Sequence, residues 1–360
     1  MTETKKLVLI DSNAIIHRAY HALPKTMATR KGEMTNVTYG YTTTLIKVLE
    51  DLKPDYIAAT FDVSKATFRL AEYAEYKAHR VKADQELYDQ IPRVRELLSV
   101  LNIPIYEMEG FEADDVIGTI VEFCSTSQKS KVKSQKCGGL SEAGLHVYIV
   151  TGDKDAFQLV DGNIEVYDLK HGLSDAQIIN STVIRAMWNL DPCDFIDLKA
   201  LAGDPSDNIP GVPGIGPKTA TDLIQRFDTL EKLYQEIESR ISKLESRKNE
   251  PDSRFQIPDS DLEKIAKDLE LKPRILKLLI EHKDQAFLSQ RLATIRKDVP
   301  LDFNLEDCKW GDYDKEKVVA FFKEMQFHSL LRRFGIEPQE EAKTKEAKEQ
   351  KEKDEQLKLL

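Results

Sequence analysis

Long hydrophobic runs are absent from this chain of 360 residues. No stretch approaches the roughly 18 to 20 consecutive apolar residues that a membrane-spanning helix needs. Residues 1–6 are polar and charged, and the apolar run that follows, Leu7–Ile10, is only four residues long. We therefore expect a buried strand here rather than a signal peptide.

Cysteine is also scarce. The four cysteines lie far apart and form no C-x-x-C pair: Cys124, Cys137, Cys193 and Cys308. This spacing does not indicate a zinc site, and it agrees with reduced thiols. We therefore expect a cytoplasmic protein.

Positive charge is in deficit, with a formal net charge of −10. Because proteins contact phosphate groups through Lys and Arg, this balance does not by itself favour a nucleic-acid ligand. Nine of the acids, however, are candidate members of one metal-binding cluster described below. Leaving these nine out brings the charge of −10 to about −1. Net charge therefore neither excludes nor indicates binding to nucleic acid.

The first half of the chain alternates short apolar runs with amphipathic stretches, a pattern typical of βα units and a parallel sheet. Strands are predicted at Leu7–Ile10, Tyr56–Phe61, Pro104–Tyr106, His146–Val150 and Ile164–Tyr167. Helical spacing of apolar residues predicts helices at Val37–Leu52, Gln85–Leu101 and Asp114–Cys124. We expect an α/β domain over residues 1–190.

The second half of the chain is dominated by helical patterns from Asp194 onward, which predicts a helical region over residues 191–335. Residues 127–144 and 248–260 are polar and are predicted to be loops. Residues 336–360 are rich in Lys and Glu, and we expect a disordered tail or a solvated helix there.

Acidic residues follow four of the predicted strands. In an open parallel sheet the carboxyl ends of the strands share one edge, where ligands bind. A further pair of acids, three residues apart in the second half, falls on one face of a helical turn. The candidate metal ligands are Asp11, Asp62, Glu112, Asp114, Asp115, Asp153, Asp155, Asp204 and Asp207.

Each of these acids taken singly could instead cap a helix. Gathered together, however, unpaired carboxylates repel one another and raise one another's pKa. Divalent cations relieve that repulsion, and a set of oxygen ligands selects Mg²⁺ or Mn²⁺. Two such ions would polarise a phosphate and generate hydroxide from water. The pattern predicts hydrolysis of phosphate esters by two metal ions.

A glycine-rich string, residues 209–220, follows the last acids. Its glycines allow a tight hairpin, and Pro217 suits the first turn of a helix. Exposed backbone N–H groups at a helix start bind phosphate without reading the base. An ordinary helix–helix connection is the alternative. The DNA-binding candidates here are Gly211, Gly214, Ile215, Gly216, Lys218 and Thr219.

A basic and aromatic segment follows Asp62. Arg69, Lys77 and Arg80 are cations, while Phe68 and Tyr76 offer ring faces on which an unpaired base could stack. A solvated helix face is the alternative. Because the segment follows an acid-bearing strand end, we favour a role in binding nucleic acid.

Together these motifs resemble the 5′ nuclease domain of bacterial DNA polymerase I, within the flap endonuclease superfamily. The resemblance covers about residues 5–335. The matching strings are Leu7–Asp11, Arg18–Pro24, Phe61–Asp62, Thr67–Arg69, Tyr76–Arg80, Glu112–Gly118, Thr151–Asp155, Gly203–Gly211, Asp284–Ser289, Asp298–Phe303 and Phe327–Leu331.

The resemblance implies a PIN-like (resolvase-like) core with a mostly parallel sheet and a helical arch at about residues 64–84. A helix–three-turn–helix element at about residues 194–228 would follow, commonly with a bound K⁺. The nine acids match the family's cluster for two or more Mg²⁺ or Mn²⁺ ions. Lys77 and Arg80 match catalytic cations at the scissile phosphate, and Arg18 joins Phe68, Arg69 and Tyr76 as DNA-contacting candidates.

The activity implied is structure-selective 5′-3′ exonuclease and 5′-flap cleavage that leaves 5′-phosphate products, in replication and repair. Substrates would be DNA with 5′ ends, flaps or nicks, and RNA-primed DNA. We expect a monomer that works with a DNA polymerase and not at a membrane.

Some features depart from the family pattern. Residues 12–17 differ from the usual string, Pro205 and Pro217 replace residues that are more often polar, and no polymerase sequence follows residue 335. The chain is therefore expected to be a free-standing nuclease or a fragment. Three alternatives stay open: an RNA-directed endonuclease of the same fold, a non-catalytic branched-DNA binder, and a phosphate-ester hydrolase with Asp11 as covalent nucleophile. The last would prefer an acid at position 13, where Asn13 stands.

Overall fold

A six-stranded sheet organises the first half of the chain in the computed structural model, which describes residues 4–63, 66–129, 144–171, 175–248 and 258–336. The strands are β1 (Lys5–Asp11), β2 (Tyr56–Thr60), β3 (Ile105–Tyr106), β4 (Leu145–Thr151), β5 (Ile164–His171) and β6 (Asp175–Ile179). Their order is β3-β2-β1-β4-β5-β6, and all neighbours are parallel except β5 and β6. The predicted α/β class is confirmed.

Helices cover both faces of the sheet and form most of the second half. In the first half they are α1 (Ser12–Ala22), α2 (Asn36–Leu52), α3 (Phe68–Glu72), α4 (Gln85–Tyr88), α5 (Ile91–Val100), α6 (Ala113–Lys129) and α7 (Ser181–Trp188). They continue as α8 (Asp194–Ala202), α9 (Pro217–Phe227), α10 (Leu230–Lys248), α11 (Asp259–Asp268), α12 (Pro273–Glu281), α13 (Lys283–Ala293), α14 (Lys315–Glu324) and α15 (His328–Arg333). Two 3-10 helices span Lys154–Leu159 and Leu305–Cys308. Of the described helices, none combines the length and apolar character needed to cross a bilayer.

The predicted elements differ from the structure in several places. The helix predicted at Gln85–Leu101 is broken into α4 and α5, because Pro92 fits only the first turn of a helix and begins a new one. Strand β6 was missed, since it is a short edge strand in which Ile179 is buried while Ile178 is 40% exposed. The predicted loops at 127–144 and 248–260 lie largely, and the tail at 336–360 almost wholly, outside the described residues. The loop prediction is wrong at the described ends, because α6 extends to Lys129, α10 to Lys248 and α11 begins at Asp259.

Two apolar cores lie on opposite faces of the sheet. One joins the sheet and α6 to the helical region, through residues such as Ile149, Phe157 and Leu201. The other packs α1, α2 and α5 against the C-terminal helices α14 and α15, through residues such as Tyr41 and Phe322. The predicted helical region of 191–335 is therefore not one packing unit, because its last part returns to the N-terminal domain. There the backbone N–H of Trp310 donates to the carbonyl of Asp55 at 2.8 Å.

Candidate metal centre and nucleic-acid interface

Two adjoining cavities lie at the carboxyl edge of the sheet. The smaller, of about 240 Å³, is lined by Asp11, Asp62, Glu112, Asp114 and Asp153. The larger, of about 800 Å³, is lined by Asp153, Asp155 and Asp204. Both cavities share Ala14, Arg80 and Asp153. The structure thus brings seven of the nine predicted acids to one edge, while Asp115 and Asp207 line neither cavity.

Backbone geometry fixes the acids that end strands. Asp11 closes β1 and caps α1, since its carboxylate accepts the N–H of Ala14 at 3.1 Å and the hydroxyl of Thr151 at 2.8 Å. Asp62 accepts the N–H of Ala113 at 2.7 Å, at the start of α6. The same side chains thus accept capping hydrogen bonds and line the smaller cavity, so the capping interpretation does not exclude the cluster interpretation.

Asp153 and Asp155 occupy the tight turn after β4. Asp153 caps the 3-10 helix by accepting the N–H of Asp155 at 2.9 Å. This bond orients the Asp153 carboxylate between the two cavities, where it lines both.

The electrostatics of the crevice favour bound cations. Burial, with the nearby carboxylates of Asp62 and Asp153, raises the pKa of Asp11 to about 6. Burial and Asp153 raise the pKa of Asp155 to about 7. Burial and the neighbouring acids also raise the pKa of Asp114 well above its ordinary value. A divalent cation would stabilise the ionised form of each.

Protein cations meet several of these acids. Lys77 Nζ donates to Glu112 Oε2 at 2.9 Å. The Arg80 guanidinium pairs with Asp207, and Lys77 Nζ lies 3.5 Å from the same carboxylate. Cationic side chains thus stand at the edge of the crevice, where a phosphate bound between the acids would meet them.

Lys199 was not predicted as a site residue. From α8, its ammonium group pairs with Asp155 and donates to Asp204 Oδ2 at 2.6 Å. These pairs outweigh burial and raise the Lys199 pKa. The available signal was a single cation in an apolar run, Leu198–Ala202, since a charge is rarely buried unless it is paired.

Asp115 stands apart from the other acids. Its fully buried carboxylate accepts both Nη groups of Arg69, at 2.7 and 2.8 Å. It also accepts the backbone N–H groups of Glu112 at 3.1 Å and of Arg296 at 2.8 Å. These four bonds occupy roughly the four lone-pair positions of a carboxylate. This geometry gives no support to the prediction that Asp115 is a metal ligand.

Arg69 and Tyr76 require a correction to their predicted contact with DNA, because both side chains are buried. Besides Asp115, Arg69 donates to the carbonyls of Leu292 at 2.8 Å and Thr294 at 2.9 Å. The Tyr76 hydroxyl donates to Asp207 Oδ2 at 3.0 Å. These groups hold the site together instead of facing a ligand.

The rest of the predicted arch segment consists of short pieces. After α3 the chain forms turns through residues 74–79, with Lys77 at a φ of +54°, so that Tyr76 and Arg80 are not neighbours on a helix. Phe68 is partly buried against Phe111, and the Arg69 guanidinium lies 4.6 Å from its ring centre. Ser64 and Lys65 lie outside the described residues.

The glycine hairpin is built on a close backbone contact. A Cβ on Gly211, whose φ is +60°, would lie 2.1 Å from the backbone nitrogen of Gly203. The Gly211 N–H donates to the Ser289 hydroxyl at 3.0 Å, which fixes the hairpin to α13. Only glycine can occupy this position without displacing the backbone at Gly203, next to Asp204.

The hairpin exposes part of the predicted DNA-binding set. Gly214, Gly216 and Lys218 are exposed and Thr219 is partly buried, at the start of α9. Gly211 and Ile215 are buried, so their predicted contact with DNA is corrected to a structural role. Arg18, on α1, lines the larger cavity.

The donor set fits hard divalent cations, because it consists of carboxylate oxygens in a shared crevice, where the pKa values of Asp11, Asp114 and Asp155 are raised. As the side chains stand, however, no three acidic, His or Cys side chains in the described part of the chain converge closely enough to enclose an ion. Cation binding would therefore require small rotations of these side chains, and release of Lys77 or Lys199 from some of them.

Comparison with known families agrees with this fold. Residues 6–188 match the family described as 5′-3′ exonuclease, N-terminal resolvase-like domain. Residues 190–316 match the family described as 5′-3′ exonuclease, C-terminal SAM fold. The chain belongs to the 5′-3′ exonuclease family, which confirms the resemblance found in its motifs.

Curated relatives are bacterial DNA polymerases. DNA polymerase I of Bacillus subtilis (strain 168) is 38% identical over 335 residues, covering 93% of this chain and 33% of the relative. DNA polymerase I of Bacillus caldotenax is 36% identical over 340 residues, covering 94% and 33%. The chain thus spans about a third of the length of these relatives.

Solved structures share the fold at low identity. The T5 5′-exonuclease with bound zinc aligns with a TM-score of 0.56 and 17% identity, over 89% of this chain and 98% of that one. The T5 D15 flap endonuclease, in a pseudo-enzyme-product complex with DNA and metal ions, also gives a TM-score of 0.56 and 17% identity, over 92% and 100%. These likenesses support the resolvase-like core followed by a helical domain.

Proposed function

We propose that this chain is a divalent-metal-dependent 5′ nuclease that hydrolyses DNA phosphodiester bonds at 5′ ends, nicks and flaps. The observation that carries the proposal is the crevice at the sheet edge. Seven acids from separate elements line it, three of them have raised pKa values, and Lys77, Arg80 and Lys199 stand beside them.

The proposed ligands are the acids that face the cavities. Asp11, Asp62, Glu112 and Asp114 would hold one ion, and Asp153, Asp155 and Asp204 would hold a second, with Mg²⁺ or Mn²⁺ as the natural choice for oxygen ligands. Ions bound there would supply Lewis acidity and a hydroxide nucleophile. The solved T5 5′-exonuclease contains divalent zinc ions, and the T5 D15 protein was co-crystallised with metal ions, which supports metal dependence.

The cations at the mouth would bind the scissile phosphate. Lys77 is partly buried and Arg80 is half exposed, with side-chain exposures of 24% and 49%. Lys77 pairs with Glu112, a proposed metal ligand, and Arg80 pairs with Asp207 beside the crevice. Lys77 would exchange its bond to Glu112 for one to a phosphate oxygen when Glu112 binds a metal ion, and Arg80 would use its other N–H groups. Lys199 would balance part of the negative charge of Asp155 and Asp204.

Arg69 and Asp115 are proposed as positioning residues. Their ion pair ties α3 and α6 to the segment after α13, through the carbonyl of Thr294 and the N–H of Arg296. Because Arg69 Nη1 also lies 3.3 Å from Glu112 Oε2, the pair orients a carboxylate of the crevice.

The exposed hairpin residues would hold the duplex beyond the cut. Gly214, Gly216 and the N-terminus of α9 present backbone N–H groups, with Lys218 beside them, to a phosphate without reading sequence. Binding of K⁺ at this hairpin, action on RNA-primed DNA, cooperation with a DNA polymerase and a monomeric state are parts of the same proposal. The DNA polymerase I relatives support cooperation with a polymerase, and the T5 complex with DNA supports binding of DNA.

The test is cleavage of a 5′-flap DNA labelled at its 5′ end, with Mg²⁺ or with chelator. We expect metal-dependent release of a short labelled product, abolished by Asp204→Asn and retained in Asp268→Asn, a matched change at an exposed acid on α11. Binding of the flap DNA without cleavage in Mg²⁺ and in Mn²⁺ would identify a passive branched-DNA binder and reject the nuclease.

A further inference from the structure

The larger cavity has an aromatic wall in addition to its acids. Trp188 at the end of α7, with Phe195 and Leu198 on α8, lines it. The Trp188 ring is held by Phe157 and Phe195, with ring centres 5.3 and 5.8 Å away, and it stays partly exposed. A fixed, accessible indole beside charged groups is the feature on which a nucleobase stacks.

Another part of the cavity wall is charged. It consists of the turn Gly152–Asp155 after β4, with Arg18 beside it. A Cβ on Gly152 would lie only 2.8 Å from Nη2 of Arg18, so glycine lets the guanidinium lie directly against this turn. Arg18 and the exposed Lys154 therefore place positive charge at the cavity wall, where it suits a phosphate group.

The cavity is continuous with the crevice of acids. Asp153 and Arg80 line both cavities, so the larger cavity is within reach of a nucleoside next to a phosphodiester bound at the smaller one. Its volume of about 800 Å³ lies within the roughly 300–1,000 Å³ typical of small-ligand sites. A base paired inside a duplex could not enter, since it must first leave the stack.

We propose that this cavity is a nucleoside subsite: one unpaired nucleobase of the substrate stacks on Trp188, next to the phosphodiester at the acids, while Arg18 and Lys154 face its phosphate. The location of that phosphodiester rests on the proposed nuclease function. Binding of a nucleobase at Trp188 can be measured without cleavage.

The first experiment uses tryptophan fluorescence. The chain has two tryptophans, and Trp310 packs against Tyr313 and Phe334 near the C-terminal helices. In Trp310→Phe protein, Trp188 is the sole tryptophan. We expect saturable quenching by a 5′-phosphorylated thymidine trinucleotide in chelator, and clearly weaker quenching by the same trinucleotide with abasic sites. No quenching, or equal quenching by the abasic trinucleotide, would overturn the subsite.

The second experiment scans the substrate. Flap DNA molecules each carry one abasic site near the scissile bond, and cleavage is followed with Mg²⁺. In the wild-type protein, an abasic site at one particular position should raise KM roughly five- to a hundredfold, because one base–aromatic stack is lost. Trp188→Leu should raise KM for intact DNA by a similar factor. In this variant the abasic site should cause no further increase in KM. Trp188→Phe should restore most of the binding.

The outcomes separate the two proposals. Quenching at Trp188 without cleavage in any divalent metal leaves the subsite in place and rejects the nuclease. Cleavage with the same abasic profile in the wild type and in Trp188→Leu leaves the nuclease in place and rejects the subsite. A thermal melt of each variant checks that Trp188→Leu is folded at the assay temperature.

Discussion

The sheet edge and the segment of residues 67–80 that faces it carry opposite charges and are held in different ways. The acids of the edge take their positions from the backbone, because Asp11 and Asp153 end strands or cap helices. The cations of the segment are positioned by acids, since Arg69 is held by Asp115 and Lys77 by Glu112. Loss of an acid should therefore displace a cation, whereas loss of an exposed cation should leave the acids in place.

The largest expected effect comes from an acid of the edge. Asp153→Asn removes one charge from both cavities while keeping the cap, because an amide oxygen can still accept the N–H of Asp155. We expect flap cleavage to fall by at least about a hundredfold, as for loss of one preorganised charge at a reacting centre. Flap-DNA affinity in chelator should change less than about threefold. Gel-shift and single-turnover assays measure the two effects.

Retained cleavage in Asp153→Asn would show that this strand end lies outside the reacting centre. Glu306→Gln, on the exposed part of the second 3-10 helix, is the control and should behave as the wild type.

The second effect is on stability and concerns the buried pair that joins the two regions. Arg69→Met leaves Asp115 buried without its guanidinium, and Asp115→Asn leaves Arg69 without its counter-charge. Each should lower the free energy of unfolding by roughly 3–5 kcal/mol, and the double variant should lose less than the sum. Arg296→Gln, which breaks an exposed pair with Asp298, should cost less than about 1 kcal/mol.

Metal dependence distinguishes positioning from ligation at Asp115. In Asp115→Asn protein that is still folded, the Mg²⁺ concentration for half-maximal cleavage should match that of the wild type, while kcat falls. An increase of tenfold or more in that concentration would return Asp115 to the set of metal ligands.

The third effect is a pH dependence of stability in chelator. The pKa values of Asp11, about 6, and Asp155, about 7, are raised above their ordinary values, so the folded protein holds protons that the unfolded chain has lost. Stability should therefore fall as pH rises from about 4 to 7, by a few degrees in Tm. Mn²⁺ should restore more stability at pH 7.5 than at pH 5.5, since ionised ligands bind it better. Thermal melts across pH check the sign, and a Tm that rises over this window would contradict it.

The smallest effect concerns an exposed cation. Arg80→Ala removes a half-exposed partner of Asp207, so stability should change by less than about 1 kcal/mol. Cleavage should still fall, roughly tenfold or more, because Arg80 lines both cavities at the proposed site of the scissile phosphate. A large loss of stability without loss of cleavage would contradict the view that the acids keep their positions when an exposed cation is removed.

The sequence was sufficient to predict which strand ends carry acids and where the glycine hairpin lies. The acids after β1, β2 and β4 could be located because parallel strands end at one edge. The hairpin could be located because its glycines require special backbone geometry, as the contact of Gly211 with Gly203 shows.

Side-chain destinations were harder to predict, because they depend on residues far away in sequence. Arg69 is buried by carbonyls more than two hundred residues later, and Lys199 is held by Asp155 on another element. The return of α14 and α15 to the sheet likewise depends on apolar contacts with α2 and α5 that no local pattern contains.

The most direct test of the account is to count bound Mn²⁺ by electron paramagnetic resonance at pH 7.5, on the wild type and on an Asp11→Asn, Asp153→Asn double variant. The acids of the crevice should bind two or more ions per chain in the wild type, and fewer in the double variant. No bound Mn²⁺ in the wild type, or an equal count in both proteins, would contradict the claim that these carboxylates are gathered to hold divalent cations.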